Sequence, residues 1–161
     1  MKKITLTLVL TVLFLSKALF GEEPPAPPIK FTIETERSTY ATSDRIILKM
    51  EVENISNDDV DVVDFQQTQS WILSAQVVTF EIKDAQGNDY PMEGSVVDYW
   101  PGDRVTRLSK GGKMSMELIL NNLSAQNYFT MGRQSTYTIT AYFNGWNEKK
   151  VGSNTLAITL E

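Results

Sequence analysis

Arg45-Ile46-Ile47-Leu48-Lys49-Met50-Glu51-Val52-Glu53 is the stretch that decides the fold. Ile46, Leu48, Met50 and Val52 fall on one side; Ile47, Lys49, Glu51 and Glu53 fall on the other. Alternation of this kind is what a strand shows when one face meets a core and the other meets water. The signature returns at Met114–Leu120, at Tyr137–Phe143 and at Leu156–Leu160. No segment shows sustained helical periodicity.

Shorter pieces extend the pattern. Ile29, Phe31 and Ile33 alternate with Lys30, Thr32 and Glu34, and Val78, Phe80 and Ile82 alternate with Thr79, Glu81 and Lys83. Val60 to Phe65, Val96 to Trp100 and Arg104 to Leu108 are weaker strand candidates. The connections are marked by composition. Ser38–Asp44 and Asn54–Asp59 are polar. Asp84–Asp89 holds Gly87, free to take positive φ. Pro101-Gly102-Asp103 and Gly111-Gly112 mark turns, and Asn144-Gly145 is a strong hairpin signal. Asn121 to Arg133 is the longest irregular piece, with room for a helical turn. Seven to nine short strands follow, and the expected fold is all-β: an antiparallel two-sheet sandwich of the immunoglobulin type.

The chain has 161 residues, a length suited to one domain. Its first part is not expected to belong to the fold. Met1-Lys2-Lys3 is basic, Ile4 to Leu15 is an apolar run with threonines, and Ser16-Lys17-Ala18 offers small residues for a cut. That order is expected of a secretory signal peptide over 1–18, with Gly21 as the alternative cut. The run is too short to span a bilayer comfortably, so no stable membrane anchor is expected after cleavage. Residues 19–28 contain Pro24-Pro25-Ala26-Pro27-Pro28, a stiff extended spacer. The sandwich domain is expected over 29–161, exported to the periplasm or the exterior.

Loss of Lys2, Lys3 and Lys17 with the first 18 residues takes the formal net charge from −5 to −8. An acidic surface opposes binding to nucleic acid or anionic lipid. The chain has no cysteine and no histidine. Disulfides and lipid attachment through cysteine are thereby excluded, as are histidine-based triads; histidine-ligated and cysteine-ligated zinc sites are excluded as well. The commonest general base is missing too. Neither an enzyme nor a cofactor is expected.

Several stretches together resemble a known pattern. They are Ile46–Ser56, Pro101-Gly102-Asp103, Met116–Asn121, Tyr128, Tyr137–Tyr142 and Val151–Leu156. The set is similar to secreted Ig-like modules of bacterial extracytoplasmic proteins. It also resembles macroglobulin-like modules and the small sandwich that precedes the catalytic domain in some secreted metallopeptidases. A weaker resemblance is to the bacterial intracellular proteinase inhibitor domain. Ser135 departs from the pattern, which carries glycine two residues before the tyrosine. The resemblance implies an accessory module that binds or spaces other molecules through its loops. A protease inhibitor and a carbohydrate-binding module are the alternatives, so the partner is a protein or a glycan.

Particular residues stand out within that reading. Trp146, Asn144, Tyr99 and Trp100 are the expected contact residues at one end of the sandwich. Asp58, Asp59, Asp61 and Asp64 could supply calcium ligands, or form a solvated acidic rim that deters edge aggregation. Asn54 closes a strand, where its amide can satisfy loop backbone groups. Asn54-Ile55-Ser56 and Asn122-Leu123-Ser124 fit the glycosylation acceptor pattern.

Overall fold

The computed structural model describes residues 26–64, 77–89, 105–120, 134–147 and 149–161. Among these are nine strands and no helix. They are β1 (Ile29–Thr35), β2 (Thr39–Tyr40), β3 (Ile47–Asn54), β4 (Val60–Val63), β5 (Val78–Asp84), β6 (Val105–Leu108), β7 (Lys113–Ile119), β8 (Ser135–Trp146) and β9 (Lys149–Leu160). One sheet has the order β1-β3-β7, a second β2-β9-β8-β5, and β4 pairs with β6. Every pairing is antiparallel except β2 with β9.

The alternation has its expected outcome. Ile46, Leu48, Met50 and Val52 are completely buried, as are Tyr137, Ile139, Ala141 and Phe143. Ile29, Phe31 and Ile33 complete the same core from β1. The sheets meet there: the rings of Phe31 on β1 and Phe143 on β8 lie 5.8 Å apart and tilted by 41°. The opposite face of β1-β3-β7 is a checkerboard. Lys30, Glu53 and Lys113 share one cross-strand row, and Glu34, Lys49 and Glu117 share another. Lys113 reaches Glu51 at 2.8 Å and Glu53 at 3.6 Å. Opposite charges side by side let this face remain in water without repulsion.

Asn54 supplies the one polar side chain in the described core. Its Nδ2 donates to the carbonyls of Asp58 (2.7 Å) and Leu108 (2.8 Å). Its Oδ1 accepts from the Ser56 amide (2.9 Å) and hydroxyl (2.8 Å). Its backbone carbonyl accepts from Gly111, whose φ of 69° needs glycine. One amide thus pins two loops. With that side chain 1% exposed, the folded Asn54-Ile55-Ser56 is closed to glycosylation.

Two expectations are corrected. Asn144-Gly145 is not the hairpin turn; both residues lie inside β8, and the chain reverses between Trp146 and Lys149, which pair. Asn147, just past the strand, carries the positive φ of 44°. Gly145 is needed for packing instead: a Cβ there would stand 2.5 Å from Phe143 Cζ and 2.9 Å from Val63 Cβ. The Ser38–Asp44 segment, expected as a turn, contains β2, whose Tyr40 is buried. The expected strand Val96–Trp100, the turn Pro101-Gly102-Asp103 and the irregular piece Asn121–Arg133 lie outside the described residues.

Asn54→Ala should lower unfolding free energy by about 3 kcal/mol in a urea titration, because it strands buried backbone partners. Asn54→Asp should be at least as damaging, since it turns a carboxylate toward two carbonyls. Gly145→Ala should cost about 1–3 kcal/mol in the same titration, because the buried Phe143 ring has nowhere to retreat.

Candidate functional site

The outer face of the four-stranded sheet has a different character from the charged checkerboard. Thr136, Thr138 and Thr140 project from β8 on the side away from the core. Two hydroxyl pairs bridge β8 to β9, Thr136 to Thr159 at 3.1 Å and Thr140 to Thr155 at 2.9 Å. The next residue on this side of β8 is Tyr142, opposite Gly152 on β9 and Thr79 on β5. A Cβ on Gly152 would stand 3.5 Å from Tyr142 Cε1, so the ring lies over the glycine.

A string of polar groups leads away from Tyr142. Its hydroxyl donates to Glu81 Oε2 at 2.9 Å. Glu81 pairs with Lys83, and Lys83 stands 3.9 Å from Asp89. Lys150 Nζ sits 3.7 Å from the centre of the Tyr142 ring, a cation–π contact. Register explains the assembly. Glu81 and Lys83 are two apart on β5 and share a face, while the Asp84–Asp89 turn brings Asp89 back opposite Lys83. That turn is held by Asp84, whose Oδ1 accepts from the Gln86 and Asn88 amides, and by Gly87 at φ 82°.

Electrostatics fix the protonation of these groups. The Lys83 ammonium, then the Tyr142 hydroxyl, holds the Glu81 carboxyl below its usual value. Hydrogen bonding to Glu81 raises the Lys83 value. Donation to Glu81, followed by desolvation, raises the Tyr142 phenol. A phenol made harder to ionise is a poor nucleophile, and a carboxylate held ionised is a poor acid. The string is suited to hydrogen bonding and charge pairing rather than to proton transfer near neutrality.

The sequence-expected contact residues are only partly brought together. Asn144 is half-buried, with its backbone N–H donating to the Val77 carbonyl at 2.9 Å. Trp146 is half-buried and packs against the core, because the β8–β9 register shifts between Phe143 and Trp146. Lys149 Nζ lies 5.2 Å from its ring centre. Among the described residues, the rings of Tyr142 and Trp146 therefore each carry a lysine, which a sugar would have to displace before stacking. Tyr99 and Trp100 lie outside the described residues. Of the acidic group, Asp61 is held by Arg107 through two bonds, of 2.8 and 3.1 Å, that pull its carboxyl below its usual value. Asp58 contributes its backbone carbonyl to Asn54 and Ser56. Among the described residues no group of three or more histidine, cysteine or acidic side chains could hold a metal ion. Glu81, Lys83 and Lys150 were not expected from sequence, since only strand register brings them to Tyr142.

No known family matches the chain, and no curated protein does. Solved structures with partial likeness are varied. The Bacillus subtilis sporulation control protein Spo0M is 6% identical, with a TM-score of 0.44; the match covers 84% of this chain and 50% of that one. The Pseudomonas fluorescens alkylpurine DNA glycosylase AlkC is 10% identical at a TM-score of 0.43, covering 83% and 30%. A CARDB domain from Pyrococcus furiosus, in complex with di-metal ions, is 10% identical at 0.40, covering 84% and 89%. The chain spans half or less of the length of the first two.

Ultraviolet titration should find the Tyr142 phenol ionising above the ordinary tyrosine value, with Tyr142→Phe removing that component. Glu81→Gln should bring it back down. The signs define a pH window for this string. The contribution of Glu81 is present above the unfolded carboxyl value and fades as pH falls through the lowered folded one. That of Tyr142 is present below the unfolded phenol value and fades as pH rises through the raised folded one.

Proposed function

We propose that the chain is an exported immunoglobulin-like module that binds or spaces other molecules and performs no chemistry of its own. The observation that carries this reading is the division of the first strand between sheets. β1 lies beside β3 in one sheet, while β2 runs parallel to β9 in the other. The resulting orders, β1-β3-β7 and β2-β9-β8-β5, suit a sandwich of that type, with loops gathered at its ends. A rigid scaffold that presents loops is a binding design. The polar surface supports the same reading: Asp61 is answered by Arg107, Glu51 by Lys113 and Glu81 by Lys83. The contact region is the hairpin end of β8 and β9, where Asn144, Trp146 and Lys149 lie. Export is supported by the basic, apolar and small segments that open the sequence.

Two measurements test the reading. Protein recovered from the exported fraction of producing cells should begin at Leu19 or Glu22 by N-terminal sequencing. Recovery only from the cytosol with Met1 intact counts against export. Immobilised wild type and Trp146→Ala, each with an unchanged circular dichroism melt, should then be offered the envelope fraction. A protein or glycan retained by the wild type and depleted several-fold on Trp146→Ala supports binding at the hairpin end. Equal retention of every component by both proteins overturns it.

A further inference from the structure

Asn144-Gly145 is the one Asn-Gly pair of the chain, and it sits inside β8 rather than at the β8–β9 turn. The pair is chemically labile. Glycine puts no side chain in the way of its own backbone nitrogen, and in a loose chain that nitrogen reaches the preceding side-chain amide. The Gly145 nitrogen gives up its proton and attacks Asn144 Cγ. The N–Cγ bond forms, the Cγ–Nδ2 bond breaks, and the proton leaves with the nitrogen as ammonia. Water then opens the cyclic imide. Cleaving the nitrogen's bond to Cγ gives aspartate; cleaving its bond to the backbone carbonyl carbon gives isoaspartate.

The fold blocks the first step. Ring closure turns the peptide about the Asn144 Cα–C bond until the Gly145 nitrogen lies over Cβ. Asn144 is tied on one side, where its backbone N–H donates to the Val77 carbonyl at 2.9 Å, one step beyond the Val78–Phe143 pair. Gly145 is buried and hemmed in on the other. A Cβ there would stand 2.5 Å from Phe143 Cζ, 2.7 Å from Phe143 Cε2 and 2.9 Å from Val63 Cβ, and Phe143 is itself completely buried. The next residue, Trp146, is paired with Lys149 and packed against the core. The peptide between Asn144 and Gly145 is thus held at both ends, with no room to turn.

We propose that Asn144 is a site of spontaneous deamidation that folding closes and unfolding opens, so that the chain keeps a permanent record of time spent open. The reaction needs no reagent but water. It is far slower than folding, so a chain that folds promptly escapes it. A chain held open, or one that opens repeatedly, is marked. The mark then acts on the fold. Isoaspartate adds a methylene to the backbone of β8 between Phe143 and Trp146, whose partners are Val151 and Lys149. β9 has no matching atom to add, so the pairing on one side of the insertion is lost. The inference does not depend on what the hairpin end binds.

Peptide mapping by mass spectrometry tests the inference on the wild-type full chain. Samples are kept for days at mildly alkaline pH, in native buffer and in concentrated guanidinium chloride. The peptide holding Asn144 should show the amide-to-acid mass gain in denaturant, at a rate at least about tenfold above that in native buffer, as expected when reaction waits on opening. Equal rates in the two samples overturn the inference. In denaturant Asn144→Gln should abolish the gain in that peptide, and a gain that persists overturns the assignment. Chains carrying isoaspartate, separated from the rest and diluted out of denaturant, should fail to regain the near-ultraviolet circular dichroism that unmodified chains regain. Full recovery by the marked chains would show that the mark leaves the fold untouched and would overturn its proposed effect.

Discussion

Between Thr35 and Thr39 the chain leaves one sheet and enters the other, and both layers depend on that crossing. β1 needs β3 beside it, and β2 needs β9. The passage is short, so the two sheets cannot drift apart without breaking one of these pairings. Arg37 and Tyr40 hold the corner. The Arg37 amide donates to the Tyr40 hydroxyl at 3.1 Å, its guanidinium covers the ring at 4.6 Å, and it reaches Asp44 at 3.0 Å. A protein without cysteine has no covalent tie between its layers. Here the task falls to the crossing, to the Phe31–Phe143 ring contact and to the Asn154 amide.

The two outer faces meet water in different ways. On β1-β3-β7, lysine and glutamate alternate across strands, which keeps the face soluble and gives it a register. On the four-stranded sheet, threonine hydroxyls pair with one another and the charges gather around Tyr142. Exposed pairs of this kind contribute little stability one by one. Their larger effect is to specify which strand lies beside which, since a slip of one residue would bring like charges together or turn the core row outward.

Much of the fold was legible in the sequence because burial on one side of a strand leaves a period-two trace. The rows through Met50, Leu118 and Ile139 could be read directly. The features that were missed leave no such trace. β2 is two residues long, too short for any period. Asn144-Gly145 has the composition of a turn, yet Gly145 answers to the Phe143 ring, a contact that exists only once the strand has bent. The last alternating row was read only from Leu156 onward, yet β9 begins at Lys149, with a register shift near Gly152 and Asn154 reaching sideways to β1. The expected role of Asn54 was legible because a strand-ending asparagine has few other uses. The string from Lys150 to Asp89 was not, because it is assembled by the β5–β8 and β8–β9 registers rather than by any local motif.

The position of β9 has a consequence for how the chain acquires its shape. The last strand in chain order is an interior strand, with β2 on one flank, β8 on the other and β1 held by Asn154. Until residues 149–161 have been made, β2 lacks the strand it pairs with among the described residues, and β8 lacks one of its two neighbours. Closure must therefore wait for contacts between distant parts of the chain, which makes for slow folding. The nascent chain therefore stays open until its final strand has been made, and its core rows stay uncovered for as long.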